Sequence, residues 1–492
     1  MRCSRIAASL VIASFLLFVL GWREGEAQIQ SGWTAPFQLS TGQGDAAEAS
    51  LVTDAYGFVH AFWVEVAAEN TPLIQYARYD GTNWTVPTDI YAGRPSSTIG
   101  NIAVKVDPSN RLHLVWSAGI TGPAFYIHAP AHDAFAAQNW SSPLRISVPA
   151  GSVELQVDAE EVLHVLYTRD MGNEAGLYYT RSEDQGLNWT APFWIDPDIL
   201  SGHQPARLQF LIDEAGGLHA TWYYVSLNQT GGDWVRYTHS LDGGSNWIAP
   251  QTIDRLTEAE MEAEESLSAA YPVMAVSGDN VHIIWAGGQL HYRHHRYSED
   301  RGATWSEPSD IFGTLNGQAG DGMTVDSDGR IHFFSQIRYP QAIYHAVWEE
   351  GRWSSPAMVY LISLGDGDPM GDRIHAHRTY PIVRNGNELI LTFTDPPPED
   401  GRRLFVTSRI LRELTMTTVE PTPQPAATGE NAGPTVTPEP TQTMQPASNN
   451  VSLPPANTSR PDRAIWFGVA PTILLAAGVI LIQLLMRLHF RR

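Results

Sequence analysis

Eight residues capable of chemistry crowd one segment, GDGDPMGDRIHAHRTY at 365–380: Asp366, Asp368, Asp372, Arg373, His375, His377, Arg378 and Tyr380. Other polar residues stand in shorter stretches of the same kind. TGQGDAAEAS carries Asp45 and Glu48, AGRPSSTIGN carries Arg94, SGHQPAR carries His203 and Arg207, an acidic run ends at Tyr271, and NGQAGDG carries Asp321. Carboxylates, guanidiniums and imidazoles in this mixture suit ligand binding through charge-assisted hydrogen bonds. Thiol chemistry is excluded, because the only cysteine, Cys3, lies in a leader segment.

The phrase DGDPMGD has the look of a calcium loop, but a hand-type loop counted from Asp366 needs an oxygen ligand at its fifth position and a glutamate at its twelfth. Met370 and His377 stand there. The expectation is therefore no cofactor and no metal, with calcium at this segment as the alternative.

The elements that must position these residues are repeats. A phrase built on histidine recurs as GFVHAFW (His60), NRLHLVW (His113), EVLHVLY (His164), GGLHATW (His219), DNVHIIW (His282) and GRIHFFS (His332), and NELILTF puts Leu389 in the same place. The spacing runs from 50 to 63 residues, the range of propeller blades. Each unit reads as four short alternating strands and closes on Trp-x-x-Pro. The first Trp-x-x-Pro, at Trp33, precedes any complete unit, and the seventh unit lacks its own. The strand near Trp33 is thus expected to complete the last blade, leaving no long open edge. The predicted fold is all-β, a single β-propeller of about seven four-stranded blades, or six with one decayed unit. Residues 256–270, LTEAEMEAEESLSAA, read as a helical or irregular insertion before the fifth blade. Six histidines at one phase of a repeat read as blade packing rather than as a metal cluster.

Three units also share Ser-x-Asp-x-Gly-x-x-Trp in the last hairpin: Ser182, Asp184, Gly186 and Trp189; Ser240, Asp242, Gly244 and Trp247; Ser298, Asp300, Gly302 and Trp305. YDGTNW at 79–84 and WEEGRW at 348–353 are eroded copies. The motif resembles the Asp box, or BNR repeat, of the sialidase-like β-propellers. Its physics is structural: the carboxylate accepts backbone N–H groups, glycine takes a left-handed turn, and tryptophan packs between blades. That turn lies on the face opposite the loops that enter each innermost strand, and those loops converge on the channel mouth.

The resemblance implies a specific chemistry at that mouth. Enzymes of the family use a tyrosine nucleophile polarised by a glutamate, an aspartate acid/base, and three arginines that clasp a carboxylate. The Phe/Tyr-Arg-Ile-Pro motif that carries the first arginine is missing, and the first arginine after the leader, Arg78, sits on a third strand beside the Asp-box face. Tyr380, Arg378 and Arg207, with Glu48 or Asp45 as acid, form the partial catalytic set that residue types allow. Arg94, His203, Tyr271, Asp321, Arg373, His375 and His377 are the further ligand-binding candidates.

The chain ends suggest an address. Residues 1–27 read as a signal peptide, 28–414 as the propeller, 415–463 as a Pro/Thr-rich disordered stalk, 464–486 as a transmembrane helix and 487–492 as a short basic cytoplasmic tail. The expected location is the cell membrane, single-pass, with the propeller outside. A net charge of -22 excludes nucleic acid as a partner, since binding it needs a basic face. Asn-Trp-Thr/Ser sequons at Asn83, Asn139 and Asn188 follow from the repeat's own wording and carry little weight for glycosylation.

A strong scaffold signal without the full arginine clasp leads to non-catalytic binding of an extracellular glycan or surface protein. A divergent exo-glycosidase of the sialidase type is the alternative, and a structural or assembly module the third reading. Fold alone does not choose among them.

Overall fold

The computed structural model describes residues 30–412, apart from 120–121, 148–149, 170–173, 198–201, 227–230, 263–266, 318–319, 338–341, 363–378 and 396–400. The predicted signal peptide, stalk, spanning helix and tail lie outside the described residues. Among the described residues no helix is long and apolar enough to cross a membrane.

Seven antiparallel sheets form seven blades. Their first strands are Asp45–Thr53, Ile102–Val106, Val153–Val157, His203–Ile212, Ala269–Ser277, Asp321–Val325 and Tyr380–Arg384. Each first strand contacts that of the next blade, and the seventh contacts the first, so the ring closes around a channel. Closure is made as the repeat phase predicts: Phe37–Gln38 pairs with Arg403–Ile410 in the register Phe37↔Val406, making the N-terminal segment the outer strand of blade 7. The insertion before blade 5 contains a short helix, Glu258–Glu262, but its last two residues, Ala269 and Ala270, already belong to the first strand of that blade.

The histidine column is a packing device. His60, His113, His164, His219, His282 and His332 are at most 2% exposed. In five blades an aspartate ends the first strand and faces the histidine Nε2: Asp107 at 3.0 Å from His113, Asp158 at 3.1 Å from His164, Asp213 at 3.0 Å from His219, and Asp54 and Asp326 at 3.4 Å from His60 and His332. The same aspartates accept backbone N–H groups of the hairpin, as Asp213 Oδ1 does from Gly217 at 2.7 Å. On the other side of the ring, Nδ1 meets a tyrosine hydroxyl of the third strand, at 2.7 Å for Tyr126, Tyr179 and Tyr237 and 2.9 Å for Tyr76. Three of these phenols continue into the next blade, reaching the carbonyls of Gln185, Gly243 and Arg301. Buried polar groups must be paired, and in these three blades the chain of pairs ties the hairpin to the blade beside it.

The Ser-x-Asp-x-Gly-x-x-Trp turns receive those phenols. Asp184, Asp242 and Asp300 each accept the backbone N–H four residues on, at 2.8 Å. Gly186, Gly244 and Gly302 take φ of 87°, 80° and 89°. Trp189, Trp247 and Trp305 stand edge-on to Tyr126, Tyr179 and Tyr237 of the preceding blade. The motif is thus a blade-to-blade clamp on the face away from the mouth.

Candidate functional site

Three first strands are longer than the others, and all three are broken by a bulge near their mouth end. In blade 1, Glu48 and Ala49 oppose the single residue Trp63; in blade 4, Arg207 and Leu208 oppose Trp222; in blade 5, Tyr271 and Pro272 oppose Trp285. Each bulge opens with a non-glycine residue in the left-handed region: Glu48 at φ 48°, Arg207 at 51° and Tyr271 at 56°. A bulge re-aims a side chain, and an L-residue held at positive φ is strained. The three opposing tryptophans are at most 1% exposed and brace the bulges from behind.

The re-aimed side chains meet across the channel mouth. Tyr380, the first residue of blade 7's inner strand, donates its hydroxyl to Glu48 Oε2 at 3.3 Å. The Arg207 guanidinium lies 5.7 Å from the centre of the Tyr271 ring, and Tyr271 packs against Tyr223 at 5.3 Å. Burial opposes the charge on Arg207, but the Glu48 carboxylate, with the Tyr223, Tyr380 and Tyr271 phenols, outweighs it and raises the guanidinium above its ordinary value. Among the described residues the result is an aromatic basin that holds the Arg207 guanidinium and the Glu48 carboxylate. It opens into a cavity of about 640 Å³ bordered by Glu48, Asn101, Ser152, Gln204, Arg207 and Tyr223.

Deeper in the channel a second cavity of about 340 Å³ holds Lys105 and Glu154, with Tyr380 at its rim. Burial lowers the Lys105 ammonium, and the Glu154 carboxylate only partly offsets this.

The structure brings together Glu48, Arg207, Tyr271 and Tyr380 from the sequence candidates and leaves others apart. Asp45 is not the acid beside Tyr380, because Arg402 of blade 7 grips both its carboxylate oxygens, with Nε at 2.8 Å. Asp321 is buried and spent on Arg293 Nε at 2.7 Å and Ser335 Oγ at 2.6 Å, so it is structural. His203 faces Asp233 at 2.8 Å. Arg94 is exposed on the connection between blades 1 and 2. Arg373, His375, His377 and Arg378, with the calcium-like phrase, lie outside the described residues. Arg78 is the last residue but one of a third strand, Thr71–Tyr79, with its guanidinium over Phe58 on the hairpin face. Tyr223 was missed by sequence reasoning, since nothing distinguishes it from the packing tyrosines of neighbouring blades.

No protein-family model and no curated protein matches the sequence. Solved structures do match in fold. The BP39L lectin from Burkholderia pseudomallei superposes with a TM-score of 0.54 at 14% identity, over 75% of this chain and 96% of that one. The polysaccharide lyase Uly1 gives 0.52 at 10% identity, over 79% and 93%. The NanB sialidase from Streptococcus pneumoniae, as its K499G mutant, gives 0.42 at 12% identity, over 76% and 70%, too distant to bear on the site. At these identities the likeness establishes the seven-bladed propeller and nothing of the activity.

Proposed function

We propose that this chain is a carbohydrate-binding β-propeller that holds a terminal sugar at its channel mouth without hydrolysing it. The observation that carries this reading is the basin of Tyr223, Tyr271 and Tyr380 around Arg207 and Glu48. Aromatic faces suit the apolar side of a sugar ring, and a few fixed polar groups set its orientation. One guanidinium among the described residues is short of the three-arginine clasp that hydrolysis of sialic acids employs. The fold-level likeness to a lectin and a polysaccharide lyase is compatible with a glycan ligand. Convergence of four polar side chains also speaks against a purely structural spacer, which needs none.

A hydrolytic reading rests on one specific contact, the Tyr380 hydroxyl at 3.3 Å from Glu48, which places a nucleophile beside a base. In either case the propeller stands outside the cell, carried on the stalk of residues 415–463 and anchored through residues 464–486.

The test joins a glycan array to a panel of 4-methylumbelliferyl glycosides. Arg207→Ala and Glu48→Gln are expected to weaken array binding at least tenfold, about 1.4 kcal/mol or more, with no fluorophore released by the parent. Release that Tyr380→Phe abolishes would replace binding with hydrolysis, and array binding indifferent to Arg207→Ala would remove the mouth from the account.

A further inference from the structure

The histidine column is broken at three positions along one seam, between blades 5 and 6. Ser277 follows the strand pair Val276↔Val281 as Asp213 follows Ile212↔Leu218, so a serine on a shortened hairpin stands where five other blades have the capping aspartate. His295 occupies the third-strand position that Tyr237 holds in blade 4. Trp348 of blade 6 pairs with Ile331 as Ser298 pairs with Val281, so an indole replaces the motif's serine.

The protons on this seam follow from one fixed donor. The Trp353 indole N–H can only donate, and it donates to His295 Nδ1 at 3.1 Å. His295 therefore carries its proton on Nε2 and donates to His282 Nδ1 at 3.0 Å. His282 must then carry its own proton on Nε2. That N–H finds no acceptor among the described residues; the ring as a whole is only 2% exposed, but this atom is not sealed off from the solvent side. It lines a cavity of about 280 Å³ on the hairpin face, with Asn280, Arg330, Trp348, Glu349 and Glu350 around it.

We propose that this cavity is a second carbohydrate site, taking one neutral sugar ring at the seam between blades 5 and 6. The partly exposed Trp348 indole, held edge-on to His282 and His295 at 5.1 Å, forms its wall. The polar groups are planar, and the guanidinium among them is fixed. Arg330 is held by Asp328 at 2.7 Å and by Glu349 at 2.6 Å. The His282 N–H and the Asn280 amide can donate to ring hydroxyls, while Glu350 and the Asn280 carbonyl accept. Asp328, Glu349 and Glu350 outnumber Arg330, which disfavours an anion, and an inward imidazole N–H disfavours a cation. A polyol, donor and acceptor at once, satisfies both. The site stands on its own residues, and shares only its ligand class with the reading of the channel mouth.

Calorimetric titration of the full chain with methyl glycosides of glucose, galactose, mannose, fucose and N-acetylglucosamine at millimolar concentration tests it. At least one glycoside is expected to bind parent and Arg207→Ala protein alike. Ser277→Asp, which gives His282 the cap of the other blades, is expected to weaken that binding tenfold or more. Asn280→Ala, an exposed change with no packing to lose, is expected to weaken it severalfold. Binding that Arg207→Ala removes and the seam variants leave intact overturns the inference and keeps the mouth. Binding that only the seam variants remove supports it and leaves the mouth to the glycan array. Absence of binding by every glycoside overturns the inference and leaves the mouth to the glycan array.

Discussion

Gly244 turns at φ 80°, and a Cβ there would lie 2.0 Å from the hydroxyl of Tyr179 in the preceding blade. Two costs therefore meet at one atom. Left-handed backbone costs an L-residue about 1–2 kcal/mol, and forcing apart a packed ring adds about 1–3 kcal/mol. Gly244→Ala is expected to lower stability by about 2–5 kcal/mol in urea unfolding, and a loss below about 1 kcal/mol would mean that Tyr179 yields freely. Gly216, also at positive φ, meets nothing within 4 Å of its Cβ, so Gly216→Ala is expected to cost only the backbone share. The left-handed turn was legible in the motif itself. The tyrosine behind it was not, because that contact joins residues 65 apart in two different blades and no local pattern encodes it.

At the scale of elements, the blade is held to its neighbour by a phenol that serves two partners. Tyr237 meets His219 Nδ1 at 2.7 Å and reaches the Arg301 carbonyl at 3.3 Å. Tyr237→Phe keeps the ring and strands a buried imidazole nitrogen, for which the expected loss is about 1–3 kcal/mol. A change within experimental error in thermal unfolding would show that the phenol is only filler. Sequence reasoning reached this column through its phase, since six histidines at one repeat position are visible without any contact map. It did not reach the bulges. DAAEASLVT, HQPARLQFLI and AAYPVMAVS read as strands with irregular alternation, and only pairing against Trp63, Trp222 and Trp285 shows that two residues stand opposite one. Glu48, Arg207 and Tyr271 were therefore picked as loop residues near a mouth, whereas they are strand residues turned toward it.

Across the whole molecule, the buried histidines make stability a function of pH. Burial lowers His60 to about 4, and lowers His282 and His295 to about 3. It also lowers His164, His219 and His332, where the aspartate partners offset part of the effect. In an unfolded chain the same rings titrate near about 6.5. Between that value and the folded one, only the unfolded state takes up the proton. Each ring thus costs the fold nothing above about pH 6.5, and below it costs up to about 1.4 kcal/mol per pH unit until its folded value is reached. Burial raises the capping aspartates Asp107, Asp213 and Asp326, but hydrogen bonds from the hairpin N–H groups and the histidines outweigh it and lower them, so they are unaffected until the carboxylate range and then act in the same direction. One effect opposes them: the net charge of -22 shrinks on acidification, which relieves repulsion. Repulsion between exposed charges is screened within about 8 Å at 0.15 M salt, whereas protonation of a buried ring is not. In 0.15 M salt the unfolding temperature is therefore expected to fall continuously from pH 7 to pH 5, with at least two protons taken up on unfolding at pH 5. A flat or rising profile would mean that the histidine column is already charged in the fold, and that its Asp–His pairs act as ion pairs rather than as neutral packing.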